Sequence, residues 1–536
     1  MRKNDHNTQR RPRHVPGQKP RGCFQERVKK VGPEHFAIIP VDCGKPEART
    51  RVADFYGNVL LEPFSFDITR AGLDTACCRI QQTIRQHHIQ DWVCVIETTG
   101  RYHLPIRETF KKQQWDTRDV HPYTSSLLRR SADLGTKTDD VDLAALHRAA
   151  VDGLAMRPEV LDPASQQWRL LVRHRRDLVE KCVILKNQLK ETFHAYLPGY
   201  ARLWDDDHFW DSPVAATIAT AFDSPRAMQQ APDERFRQVV RDAQSVIQKK
   251  TIDRIRAWTH QAGPCDDAYQ LLHRRACSLW TDLRVKWREI EAFELELADF
   301  LCHNPCVLLL AFPGINVISA SDYGAELGPI SNYATSKSIA GRAGLYPSRH
   351  QSSQTDCQNG RLVVRRNRQL RAALMRLARC LNASNHYFMG LAQEYQKRQP
   401  NCDAKVPIAR SFSRLSYYVI ASQMLPAHAA IQNQEKVLQK LLEFYQKRQA
   451  NPEKTTAAVT ATIGRLPVTV LRGERSVLAA HHCAVQNKQR TRRVMRIGEI
   501  LPQVLLRIDQ RLQEQTKNET SEVLTEAIHE DRTHGS

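Results

Sequence analysis

The sequence predicts a mixed α/β domain at the N-terminal end, a helical region after it, and a mainly α-helical C-terminal part. Short apolar runs alternate with helically spaced ones up to about residue 155. A long leucine-striped helix then starts at Pro163, and a further unit opens at Pro313-Gly314. The chain accordingly divides into a basic arm (1–34), an α/β domain (35–160) and a helical or coiled-coil region (161–305). A serine-bearing basic domain (306–425) and a helix-prone extension (426–536) follow.

The arm scatters Arg10, Arg11, Arg13, Lys19 and Arg21 among Gln, Pro and Gly, a composition that buries little and reads as disordered. Order begins at His35, where the apolar run to Asp42 has the length of a buried strand. Thr50–Phe55 and Asn58–Phe66 flank Tyr56-Gly57 as a hairpin. Leu73, Ala76, Cys77, Ile80 and Ile84 keep helical spacing, and Trp92–Glu97 is a second buried strand closed by Thr98-Thr99-Gly100. A helix near Leu104–Gln113, a strand near Thr117–His121 and helices from Tyr123 complete the order β-β-β-α-β-α-β-α. In the next region Leu171, Leu178, Cys182, Leu185 and Leu189 form one stripe that Pro198-Gly199 ends. That stripe suits a bundle core or a coiled coil between subunits equally. Residues 200–305 stay helical and rich in Trp and Arg, ending in the amphipathic stretch Asp266–Cys302.

Charge narrows the function. With 79 Lys+Arg against 58 Asp+Glu, the net +21 favours a polyanionic partner, because each neutralised phosphate releases condensed counterions. No apolar run has membrane-spanning length and the N-terminus lacks a secretory core, so a cytoplasmic, nucleoid-associated protein is expected, with no membrane partner. The 14 cysteines form no pair of well-spaced ligand doublets, which reads as reduced thiols without a zinc site.

Two constellations carry chemistry. Asp42 and Glu97 each end a buried strand, where a side chain can leave the sheet edge. Asp139 and Asp142 in Lys137-Thr-Asp-Asp-Val-Asp142 are three apart at a helix start and share a face, whereas Asp140 lies about 100° around. Singly, these are ordinary turn, cap and dipole residues, with Thr138 a plain N-cap. Together they suit Mg²⁺, since hard cations take oxygen ligands and two ions can flank a scissile phosphate. The second constellation is Gly344-Leu-Tyr-Pro347-Ser-Arg-His-Gln-Ser352-Ser353, followed by Asn359-Gly360-Arg361 and by Arg365, Arg366, Arg368 and Arg371. Between Arg361 and Arg379 stand seven arginines and no acid, a density that suits nucleic-acid backbones. A loop serine beside them can attack phosphorus if activated, or be one of several unremarkable loop serines. Phe312-Pro-Gly-Ile-Asn316 reads either as a phosphate-facing hairpin between helices or as a structural turn.

In this order and spacing the residues resemble the DEDD-type insertion-sequence transposases, the bridge-RNA-guided recombinases. The marks are Val41-Asp42-x-x-Lys45, Ile96-Glu97-x-Thr99-Gly100, Lys137-Thr138-Asp139-x-x-Asp142 and Leu197-Pro198-Gly199. Further on they are Pro313-Gly314-Ile315, Ala343-Gly344-Leu345-x-Pro347, Gln351-Ser352 and Asn359-Gly360-Arg361 ahead of the Leu370-Arg371 helix. The resemblance covers about residues 35–425. It implies an RNase H-like (RuvC-like) domain, a coiled-coil insert and a C-terminal transposase domain. It also implies Asp42, Glu97, Asp139 and Asp142 as Mg²⁺ ligands, for two ions, and Ser352 as a nucleophile forming a phosphoserine link to DNA. A structured noncoding RNA pairing with donor and target DNA is implied as well, as is a dimer or tetramer in which one subunit's serine completes another's carboxylate site. The family has Gly after the serine where this chain has Ser353, which makes Ser353 the reserve nucleophile. Alternative readings are a water-using RuvC-like nuclease or junction resolvase, and a catalytically inactive nucleic-acid-binding relative.

Overall fold

The structure is a computed structural model that describes residues 23–132, 138–204, 209–210, 213–265, 268–348, 350–352, 355–357, 360–363, 366–399, 403–424 and 435–465. It separates into two compact units, one ending at Val160 and one starting at Leu161.

In the first unit, α1 (Gln25–Val31) precedes β1 (Phe36–Cys43), β2 (Glu47–Asp54), β3 (Val59–Asp67), α2 (Arg70–Gln86), β4 (Asp91–Glu97) and α3 (His103–Lys112). Then come β5 (Thr117–Val120), α4 (Pro122–Ala132) and α5 (Asp139–Val151). The five strands form one mixed sheet in the order β3-β2-β1-β4-β5. β1 to β3 run antiparallel, while β4 is parallel to both β1 and β5. Alternation along a strand sends successive side chains to opposite faces. Ala37, Ile39, Val41, Cys94 and Ile96 pack with Leu73, Ile80, Ile106 and Phe110 of α2 and α3. Phe36, Ile38, Val93, Val95 and Val120 pack with Val28 of α1 and with Leu146, Ala149 and Ala150 of α5. Each such fully buried Val, Ile or Leu contributes roughly 1.5–3 kcal/mol. Helices cover both faces, consistent with the expected RNase H-like fold.

The arm ends earlier than its composition suggests. Residues 25–31 are helical because Phe24 and Val28 close one edge of the core. Arg27 is held there by Asp91 (Nε donating at 2.8 Å) and by Asp116.

The second unit is built on two long helices, α6 (Pro163–Tyr196) and α11 (Tyr269–Cys302). Asp162 caps α6 by accepting from the Ser165 amide at 2.9 Å, Pro163 fills the first turn, and Gly199 at φ +78° lets the chain turn after Pro198. Between them lie α7 (Val214–Ala221), α8 (Pro225–Gln230), α9 (Asp233–Asp242) and α10 (Lys249–Thr259). Trp168 and Val172 near the start of α6 meet Leu297 and Leu301 near the end of α11, whereas Leu189 and Phe193 join Ala276 and Leu283 from its start. The pair is therefore antiparallel within one chain. The α6 stripe is spent on this intrachain packing: Leu178, Cys182 and Leu189 are buried and Leu171 and Leu185 partly so.

The remaining elements are α12 (Val317–Leu327), α13 (Ser336–Arg342), β6 (His350–Ser352), β7 (Thr355–Cys357), α14 (Arg368–Ser384), α15 (His386–Arg398) and α16 (Lys405–Ser422). They end with α17 (Glu435–Lys447) and α18 (Pro452–Ile463). Val437, Leu441, Tyr445 and Ala458 bury against the same cluster as Leu308, Phe312 and Phe412, so residues 435–463 are part of this core and not an appendage to it. Among the described residues no helix is long and apolar enough to cross a membrane.

Candidate active site

β1 and β4 are parallel neighbours with Val41 opposite Ile96, so Asp42 and Glu97 are the next residues on each strand, at their carboxyl ends. By alternation both fall on the face covered by α5, the face of Ile38 and Val95. Helix α5 starts with Thr138 accepting from the Val141 amide at 3.3 Å, and its Asp142, 5 % exposed, turns inward. Glu97 interacts with both Asp42 and Asp142: burial first, then these two carboxylates, raise its carboxyl above the usual range. Hydrogen bonds with Ser125 and Thr99 pull the other way. Asp142 is paired with Arg129 of α4.

Three of the four expected carboxylates, Asp42, Glu97 and Asp142, thus share one end of the sheet. Asp139 is exposed, one turn earlier on α5. Asp140 is drawn off by Arg49 at 2.9 Å, the residue opposite Asp42 on β2. Among the described residues no three His, Cys, Asp or Glu side chains stand close enough to hold a metal ion as they are. The chemistry of the set still fits a divalent cation. Its donors are hard oxygens, Glu97 is raised by burial and by its neighbours' negative charge, and Asp142 already draws a cationic guanidinium, that of Arg129.

The serine is carried by a β-hairpin where the sequence suggests a loop. The Ser348 amide donates to the Arg361 carbonyl at 2.9 Å and the Gly360 amide to the Ser348 carbonyl at 3.1 Å. β6 and β7 continue the arm with Ser352, the last residue of β6, opposite Thr355. Ser353 and Arg365 lie outside the described residues.

The arginines divide into two kinds. Arg361 and Arg368 are exposed and Arg366 is half-buried. Arg371 faces inward: its guanidinium donates to the carbonyls of Ala343 (2.8 Å), Gly344 and Val363 (2.7 Å). It fastens the base of the serine hairpin, and those donors are not offered to a phosphate. Gly344 permits this, since its φ is +63° and a Cβ there would stand 2.6 Å from the Arg371 Nη2. The Pro313-Gly314 turn is likewise tied down from behind. Lys440 of α17 donates to the carbonyls of Leu310 (2.6 Å), Phe312 (2.8 Å) and Ile315 (2.7 Å).

Thr99 stood out in the sequence only as part of the motif that follows Glu97; sequence reasoning missed Arg129 and Ser125 around the carboxylates, and Lys440 under the turn. None sits in a spacing that marks it, because each partner comes from a different element. It also missed the cluster around two buried acids, in which Arg173 (2.9 Å) and Arg176 (3.2 Å) of α6 hold Glu326 of α12, while Arg376 of α14 holds Asp322 (2.9 Å).

Residues 39–198 match a family model described as a transposase of DEDD IS110 type, and residues 306–393 match one described as a transposase of the IS116/IS110/IS902 family. Among curated proteins, the chain is similar to an uncharacterized 44.8 kDa protein of insertion element IS116 from Streptomyces clavuligerus. The two are 26% identical over 191 residues, which cover 33% of this chain and 44% of that relative. The chain thus spans less than half the length of the curated relative it matches.

Proposed function

We propose that this chain, which belongs to the IS110-type DEDD transposases, breaks and rejoins DNA strands by phosphoryl transfer. The observation that carries the reading is Asp42 and Glu97 at the carboxyl ends of adjacent parallel strands, on the face that Asp142 enters from α5. Asp42, Glu97 and Asp142, with Asp139 one turn away, would hold Mg²⁺. When bound, it would polarise the scissile phosphate and offset charge developing on it. Ser125 and Thr99 orient the Glu97 carboxylate, and Arg129 holds Asp142.

The finer reading adds the serine. The Ser352 oxygen attacks phosphorus as a sugar oxygen leaves and takes up a proton. The resulting phosphoserine link conserves the bond until a strand hydroxyl attacks it and regenerates the serine. Ser352 and the carboxylates belong to different compact units, and a second copy of the chain is the proposed source of the serine for a given carboxylate site. A structured noncoding RNA that pairs with donor and target DNA would supply sequence choice, much as guide pairing relieves a protein of reading bases. Exposed Arg361 and Arg368 would lie along strand backbones.

Strand cleavage with Mg²⁺, donor and target DNA and the element's transcribed RNA tests the carboxylate half. Glu97→Gln should lower the rate on the order of 100- to 1,000-fold or more while DNA binding persists. Parent-like cleavage by Glu97→Gln would remove the site from the mechanism.

A further inference from the structure

Residues 199–305 lie between the two stretches matched by family models, and their richness in Trp and Arg has no part in the chemistry above. The fold gathers several of these side chains around one cavity of about 400 Å³. Trp280, Arg284, Trp287, Arg288 and Glu291 of α11 fall at i, i+4, i+7, i+8 and i+11, one face of the helix, and Trp210 closes the cavity from the segment before α7. Trp280 and Trp287 meet edge to face with ring centroids 5.4 Å apart. The Lys186 ammonium of α6 stands 5.5 Å from the centroids of both Trp210 and Trp287.

Trp280 is buried in the core beneath, while Trp210 and Trp287 are half-buried against it and line a space within the range of small-ligand sites, roughly 300–1,000 Å³. Arg284 and Arg288 are exposed and form no ion pair with a described residue. On the walls these two arginines outnumber Glu291, so the occupant that matches them is flat, aromatic and anionic. Bases offer a π-face to indole whatever their identity, and the phosphate that travels with each suits a guanidinium fork. A duplex keeps its bases stacked inside and cannot present one to a cavity without flipping it out.

We propose that the Trp210–Trp280–Trp287 cavity binds an unpaired nucleotide of a single-stranded nucleic acid, its base against the indoles and its phosphate against Arg284 and Arg288. The site is separate from the carboxylates and from Ser352, and its test reads binding alone, so its outcome does not depend on the strand-transfer reading.

Full-length protein is titrated into fluorescein-labelled short unstructured RNA, DNA of the same sequence, and the matching DNA duplex, with anisotropy as readout at fixed salt. Trp287→Leu, and separately the double variant Arg284→Ser with Arg288→Ser, should each weaken single-strand binding on the order of 10-fold and leave duplex binding within about 2-fold of the parent. Loss with RNA alone names RNA as the source of the nucleotide, loss with DNA alone names DNA, and loss with both makes the cavity indifferent to the sugar. The arginines are exposed, so the double variant decides the matter even if Trp287→Leu does not fold; circular dichroism checks this. Parent-like single-strand affinity in the folded double variant, or an equal loss on duplex, overturns the proposal.

Discussion

Replacing Lys440 by Met removes one ammonium and keeps most of its stem. Three carbonyls, those of Leu310, Phe312 and Ile315, accept from it at 2.6–2.8 Å. Hydrogen bonds to a charged group contribute roughly 1.5–3 kcal/mol each, so the three give roughly 4.5–9 kcal/mol. Against this stands desolvation: burial pushes the ammonium from 10.5 down to about 8, which corresponds to roughly 3 kcal/mol. The difference, roughly 1.5–6 kcal/mol, predicts that Lys440→Met loses about 3 kcal/mol and frees the turn that Gly314 makes at φ +88°. Urea denaturation followed by tryptophan fluorescence measures the first effect, and amide hydrogen exchange at Ile315–Val317 the second. A variant within about 0.5 kcal/mol of the parent, with unchanged exchange at those amides, would refute the claim that α17 anchors the turn.

Arg129→Leu strands the buried Asp142 carboxylate and should cost the first unit about 3 kcal/mol, partly recovered by Mg²⁺; thermal melts with and without the ion read both effects. Burial, helped by the neighbouring Arg107 charge, drives the His103 imidazole from 6.5 down to about 4, against a smaller opposing pull from the Thr99 backbone. The unfolded chain therefore binds this proton first. The contribution is complete above pH 6.5 and is lost as pH falls toward 4, a slope that His103→Gln should flatten in denaturation midpoints measured across that window. Arg361→Ala or Arg368→Ala should reduce the salt dependence of DNA binding by about one counterion without loss of stability, whereas Arg371→Ala should destabilise the second unit by about 3 kcal/mol. Equal salt slopes for all three variants would contradict that division.

The sheet was legible because its central strands are buried on both faces. Phe36–Val41 and Val93–Ile96 are apolar runs bounded by polar residues, and Asp42 and Glu97 stand where those runs stop. Their common face was not legible, because it depends on the parallel register of β1 with β4, nor was Arg129, which arrives from α4. Helix α1 offers only Val28 and Val31, with Phe24 just before it, too few apolar positions to show a period. Helix α17 has amphipathic spacing, but what it covers, Leu310 to Ile315, is more than a hundred residues away in sequence. The density of arginines after Arg361 marked a basic segment correctly, yet composition cannot say which guanidinium folds back, and Arg371 does. The stripe on α6 left a bundle core and a coiled coil between subunits open until its antiparallel partner α11 was in view.

The most direct test of the account is a denaturing gel for a protein–DNA adduct, formed with Mg²⁺, donor and target DNA and the transcribed RNA. Parent, Glu97→Ala and Ser352→Ala are run side by side. The account predicts an adduct with the parent and none with either variant, while both still bind DNA. Cleavage without an adduct, unchanged in Ser352→Ala, would contradict the serine step and leave a carboxylate nuclease that uses water.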